Sequence, residues 1–311
     1  MDVAAIEAAG TAPLAELLRL ADGAADGTTP LADALGELHR AGVPVFFGLG
    51  DGPDAKDSGR SIAQAHQGGL GLPDRDYYDK PEHAAIKAQY QIHVARMLTL
   101  LGDNAEEAAE SAAAVVELET RLAAAQLTRT ERRDPDKTYN LTTLSALVQD
   151  APGLDWRAYF VAMHKGAPGD INVDCPQAVA AAAAALSDIP RAVLRAYLRW
   201  HVVNAGAEYL GDAFSTADFE FFQKTISGQK EMKPRWKRVL GKTNAHLGEA
   251  LGQLYVARVF PADSKARAAA VVAAVRDALR ARLTELPWLS DATRARCVAC
   301  ASLCNCLRPS S

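Results

Sequence analysis

Between residues 81 and 101 apolar side chains return every three or four positions: Ile86, Tyr90, Val94, Met97 and Leu101. That interval matches an α-helical turn and puts all five on one face, so an amphipathic helix is expected there. "GDNAEE" then ends one helix and starts another. Asp103 and Glu106 have the spacing of a capping box, and Val115, Leu118, Leu122 and Ala125 form the stripe of the second helix. With so short a link, the two are expected to pack as an antiparallel hairpin.

After the polar break "TRTERRDPDKTYN", a short helix is expected from Leu141 to Gln149, followed by "LDWRAYFVAM" and a loop, "GAPGDINVDCP". An alanine-rich helix from Gln177 to Leu186 leads through Pro190 into a long one with Val193, Tyr197 and Val202 on one side. A final helix runs from Ser264, as N-cap, to Leu286, striped by Val272, Val275, Leu279 and Leu286. Only residues 42–67 depart from this pattern. Two extended runs there flank the turn cluster "DGPDAKDSG", which reads as a β-hairpin. The fold class expected is mainly α: a multi-helix lobe with one small β-hairpin near residues 43–67.

Composition agrees. The chain has 311 residues, 49% of them hydrophobic but only 6% aromatic, which favours closely packed helices over a large sheet. A net charge of -4 gives no overall positive field to draw it to nucleic acid or an anionic membrane. No window approaches the roughly 20 apolar residues of a membrane span. The opening "MDVAAIEAAG" lacks the basic and apolar regions of a secretion signal, so no targeting segment is expected. Of five cysteines, Cys175 stands alone while Cys297, Cys300, Cys304 and Cys306 crowd the C-terminal end, an odd and clustered set unlike a disulfide framework.

Candidate chemistry is sparse. A helical zinc site needs nitrogen or sulfur donors at fixed spacing, and no H-E-x-x-H occurs. His246 and Glu249 lie one turn apart, but no second histidine follows at the spacing of a helical zinc site, so a surface pair is the expectation. His201, between apolar neighbours on a helix, is expected to be a hydrogen-bonded core residue. No nucleophile elbow, Walker loop or dinucleotide fingerprint is present. The basic run "KEMKPRWKRVLGK" (230–242) is expected to be a solvated helix face anchored by a buried Trp236. The terminal thiols, spaced C-x2-C-x3-C-x-C, are the remaining metal candidates (Cys297, Cys300, Cys304, Cys306).

Longer motifs carry more information. "GGLGLPDRDYY" (68–78) resembles a hallmark of the neprilysin and endothelin-converting-enzyme family of zinc metallopeptidases, in its N-terminal region. "KTYNLTTLSAL", "AYLRWHVVNAGAEYLGDAF", "FEFFQKTISGQKEMKPRWKRVL", "LGEALGQLYVARVFPADSKARAAAVVAAV" and "LPWLSDATRAR" follow in the family's order. The resemblance implies a helical lobe that faces a thermolysin-like lobe across a closed cavity admitting peptides. It also implies zinc for the full-length family, bound by later sequence, and a setting outside the cytoplasm. No catalytic, substrate-binding or metal residue is carried over onto this chain. "VVNAGAEYL" matches a structural stretch of the family and not its substrate-binding segment.

The expected organisation is a peptidase N-terminal domain over residues 1–296, shortened at its start, followed by an atypical Cys-rich tail over 297–311 outside the fold. The tail stands where the family has a lysine-rich helix, the pattern of a frameshift or premature stop. The chain is therefore expected to be inactive alone, with no cofactor of its own and peptides as partners only beside a catalytic lobe. Self-association through an uncovered lobe interface is expected. The alternatives are a non-catalytic peptide- or partner-binding module and a metal-binding protein built on the terminal cysteines.

Overall fold

The computed structural model describes residues 2–164 and 166–303. The chain divides into two compact units, Met1–Met232 and Lys233–Ser311.

The first unit opens with α1 (Val3–Ala9), α2 (Ala15–Asp26) and α3 (Leu31–Arg40), then the hairpin β1 (Phe47–Pro53) and β2 (Ser61–Gln67). One turn, α4 (Asp76–Asp79), leads into α5 (Ala84–Leu100) and α6 (Ala105–Ala124). Next come α7 (Pro135–Thr138), β3 (Leu141–Thr143), α8 (Leu144–Asp150), α9 (Trp156–Ala162) and β4 (Asp170–Val173). The unit closes with α10 (Pro176–Asp188), α11 (Arg191–Gly206), α12 (Asp212–Asp218) and a π-helix, Phe219–Ile226.

The stripes of α5 and α6 are buried as their spacing predicts, whereas Val272, Val275 and Leu279 of the last expected stripe are exposed. Tyr90, Val94 and Met97 of α5 are wholly buried against α6, where Val115, Leu118 and Leu122 are buried in turn. The capping detail differs. The N-cap of α6 is Asn104, whose side chain accepts from the Glu107 amide at 2.9 Å, while Asp103 turns to the Arg199 guanidinium at 3.6 Å. The cap thus falls one residue later than expected, and Asp103 serves a tertiary ion pair instead. α11 is buried on more than one side, with Tyr197, Trp200, His201 and Val202 all inside, because α2, α5 and α6 pack around it.

The hairpin is present and belongs to a larger sheet of order β1-β2-β4-β3, in which β2 and β4 run parallel and the other neighbours antiparallel. β4 lies in the stretch expected to be a loop, and β3 occupies the first three residues of the expected helix at 141. Each strand is too short for a period-2 signal. Long-range bonds make them strands: Asn172 Oδ1 accepts the Asn140 amide at 2.7 Å, and Asn140 Nδ2 donates to the Val173 carbonyl at 2.9 Å.

The second unit comprises α13 (Arg235–Val259), α14 (Ala262–Glu285) and α15 (Asp291–Leu303). α14 begins after Pro261 as its N-cap, three residues before the expected one, so Ser264 lies inside the helix. α15 carries the chain through residue 296 without a break and includes Cys297 and Cys300. No residue of α13 or α14 is buried.

Candidate functional site

The hallmark "GGLGLPDRDYY" leaves β2 and enters α4, and its conformation follows from what lies underneath. Gly69 has φ +77°, and a Cβ there would lie 2.5 Å from the Phe46 Cα. At Gly71 a Cβ would fall 1.9 Å from the Tyr90 hydroxyl. Both positions therefore need glycine, one for backbone sign and one for close approach. The Tyr197 hydroxyl pins the turn: it accepts from the Phe46 amide at 2.8 Å and donates to the Gly69 carbonyl at 2.9 Å.

Beneath the turn lies Glu119 of α6, fully buried, with a carboxylate that gathers four donors. Tyr78 Oη donates to Oε2 at 2.5 Å, Tyr90 Oη at 2.8 Å, and the Gly71 amide at 3.3 Å. His201 Nε2 lies 3.0 Å from Oε1. The tyrosines are themselves satisfied, Tyr78 Oη by the Leu72 amide and Tyr90 Oη by Trp200 Nε1 at 2.8 Å. A buried carboxylate is tolerated when its lone pairs are occupied in this way. Burial first, and then the Glu119 charge, push the Tyr78, Tyr90 and Tyr197 hydroxyls well above the ordinary phenol value.

An acid, a histidine and two tyrosines could pass for an acid–base constellation. Its members already bond one another, and all are buried, from 5% exposed at Tyr78 to none at Glu119. A general base must reach a substrate proton, and this group reaches only its own neighbours. It is a structural knot joining α4, α5, α6 and α11 to the turn after β2. His201 is thus the hydrogen-bonded core histidine expected, while Glu119 escapes the sequence because nothing in "VVELETRL" separates a buried glutamate from a surface one. Asp74 caps the Asp76 amide at 2.9 Å, Arg75 donates to the Gln126 carbonyl at 2.7 Å, and Asp76 pairs with Lys80 at 2.7 Å.

Asp174 lines two clefts, of about 270 Å³ and about 370 Å³. Asp174 Oδ1 accepts the Gln67 amide at 2.8 Å, and Oδ2 lies 3.3 Å from His66 Nδ1, so the carboxylate links the end of β4 to β2. Glu131, on the second cleft, is held at a pKa of about 2 by the Thr128 amide, then the Thr128 hydroxyl, with Lys137 adding to both. Cys175 is buried on that side, its Sγ 3.6 Å from the Ala125 carbonyl.

The remaining candidates lie apart. His246 and Glu249 are both exposed on α13. Cys297 and Cys300 lie one turn apart on α15, while Cys304 and Cys306 lie outside the described residues. Among the described residues no group of three or more His, Cys, Asp or Glu could hold a metal ion. Among the described residues the donors present do not make a four-coordinate zinc site. Trp236 does not anchor the basic run, since it is 59% exposed on α13. Residues 202–206 are helical within α11 and offer no extended backbone to a substrate. Among the described residues no helix is long and apolar enough to cross a membrane.

Fold and knot together define a mainly helical lobe with a small mixed sheet and a buried carboxylate at its centre. The model of peptidase family M13 matches residues 1–299, and the chain belongs to that family, as its N-terminal, neprilysin-like region. It is 30% identical to human endothelin-converting enzyme 1 over 257 residues, 80% of this chain and 33% of that protein. Mouse endothelin-converting enzyme-like 1 is 31% identical over 258 residues. The zinc metalloprotease Zmp1 of Mycobacterium tuberculosis, solved with an inhibitor, superposes with a TM-score of 0.85 at 34% identity, covering 97% of this chain and 46% of that one. PepO of Lactobacillus rhamnosis shares the fold, with a TM-score of 0.77 at 20% identity. The chain thus spans about a third of the length of the curated relatives and about half that of the solved ones.

Proposed function

We propose that this chain forms the non-catalytic helical part of a zinc metalloendopeptidase, where it walls the peptide cavity and limits the size of substrate admitted, and that it hydrolyses no peptide by itself. The observation behind this reading is the pairing of a family match over residues 1–299 with a donor set that fits no zinc site among the described residues. The 311-residue sequence contains no H-E-x-x-H. Zinc belongs to the family, and the residues that hold it are assigned here to sequence beyond the matched part. A setting outside the cytoplasm is part of the same reading.

The test uses the purified chain: zinc content by elemental analysis, together with turnover of a quenched fluorescent peptide library. The expected result is neither stoichiometric zinc nor turnover. Zinc-dependent hydrolysis that survives replacement of Cys297, Cys300, Cys304 and Cys306 by serine would overturn the proposal. A second reading, a peptide-binding module, draws on the clefts flanking Asp174. Saturable binding of unhydrolysed peptide, weakened by Asp174→Ala, would favour it.

A further inference from the structure

A third cleft of the first unit, of about 240 Å³, is lined by residues of β3, α8, β4 and α10. Four of its lining residues, Leu147, Ala151, Val173 and Val179, are buried and belong to the hydrophobic core. The cleft therefore offers an apolar surface continuous with the interior. An apolar cavity of roughly 150 Å³ holds a benzene molecule, so there is room here for a body of about five carbons. Asp150 lines the same cleft and is exposed.

Charge sets this carboxylate apart. None of the four lining elements contains a lysine or arginine, and the sequence has none between Lys137 and Arg157. The other acids on these elements are paired across the fold, Asp170 with Arg60 and Asp188 with Arg121 at 3.2 Å. The Asp150 side chain has no hydrogen bond or ion pair among the described residues. It is also the last residue of α8, where the helix carbonyls concentrate negative charge and a cation is the favoured neighbour. An apolar cleft beside a carboxylate without a counter-charge is complementary to an ammonium group on a short hydrocarbon chain. The chain is buried against Leu147, Val173 and Val179 while the ammonium pairs with Asp150. A carboxylate ligand would be repelled, and a neutral one would gain burial alone.

We propose that this cleft binds a small primary amine with a short aliphatic body, Asp150 supplying its counter-charge. The site involves neither zinc nor hydrolysis, so it stands or falls apart from the proposed function. Binding is read on the full chain at pH 7 from the methyl resonances of Leu147, Val173 and Val179, in titrations with n-pentylammonium, 1-pentanol and pentanoate. Saturable shifts at these three residues are expected, with the ammonium bound about fivefold more tightly than the alcohol and pentanoate most weakly. Added salt should shrink that preference. Asp150→Asn, an exposed substitution that leaves the core untouched, should reduce the amine to the level of the alcohol without changing the alcohol itself. Ala180→Trp, which places an indole in the cleft, should abolish binding of both.

Equal affinity for amine and alcohol in the unaltered chain would overturn the proposal by removing the carboxylate from recognition, and so would an amine preference that survives Asp150→Asn. Absence of saturable shifts at the three residues, or shifts confined to others, would take the amine out of this cleft. Binding of acetyl-Gly-Lys-Gly-amide as tight as that of pentylammonium would overturn the free amine as ligand in favour of a lysine side chain.

Discussion

Glu119 shows how much rests on one side chain. Four donors converge on it from α4, α5, α11 and the hallmark turn, and removing the carboxylate leaves buried hydroxyls and an imidazole without their acceptor. Glu119→Leu is expected to destabilise the first unit by about 3–5 kcal/mol, with Glu119→Gln clearly milder, as read from urea midpoints. Gly69→Ala should cost about 2–4 kcal/mol, because its positive φ and the Phe46 backbone leave no escape. His93 offers a test by pH. It is buried, stacked on Phe221 at 4.9 Å, and its pKa is pushed down to about 3, by burial first and Arg96 second. Above pH 6.5 both folded and unfolded states leave it neutral and its stabilising contribution is complete. Below that the unfolded chain takes up a proton the folded one refuses, so stability falls as pH drops toward 3. Between pH 6.5 and 4.5 this amounts to about 2–3 kcal/mol. His93→Phe should flatten that limb of the urea-midpoint profile while leaving pH 7 nearly unchanged, and an unaltered slope would place the acid sensitivity elsewhere. His39 adds a similar fall, its pKa pushed to about 4 by burial.

At the scale of elements, long helices were legible from sequence and short strands were not. α5, α6 and α11 announce themselves because a stripe sustained over four turns has few alternative explanations. β3 and β4 have three and four residues, and their strand character comes from partners distant in sequence, such as Leu141 opposite Asn172 and Ala63 opposite Ile171. The Asn140 and Asn172 side chains hold this join, Asn172 Nδ2 donating to the Thr138 carbonyl at 3.0 Å while its Oδ1 takes the Asn140 amide. Asn172→Leu is therefore expected to free β3, with faster amide exchange confined to residues 139–143 and a loss of about 1–3 kcal/mol. The hallmark segment divides in the same way. Its glycines point to a tight turn in sequence, but the pairing of Arg75 with Gln126 and of Asp76 with Lys80 depends on where α4 and α6 come to rest.

For the whole molecule, the division at residue 232 separates a unit with a complete core from one without any buried residue on its two long helices. Residues 1–232 produced alone should unfold in one cooperative transition, within about 1 kcal/mol of that measured for the full chain. Residues 233–311 alone should show helical circular dichroism at most, without a cooperative melt. A sigmoidal melt for the second fragment would mean that it buries a core its helices do not show here.

Sequence by itself determined the family, the helical class and the hairpin, because each rests on local pattern: sustained periodicity, turn chemistry and long motifs in a set order. It also showed that the zinc helix of the family is not in these 311 residues. Tertiary structure decided which charges are buried, which stripes find a partner and which strands exist. These depend on what lies across the fold from a residue, and the same glutamate or valine reads alike on a surface and in a core. Glu119 and the uncovered stripe of α14 are the two cases where that distinction sets a residue's role.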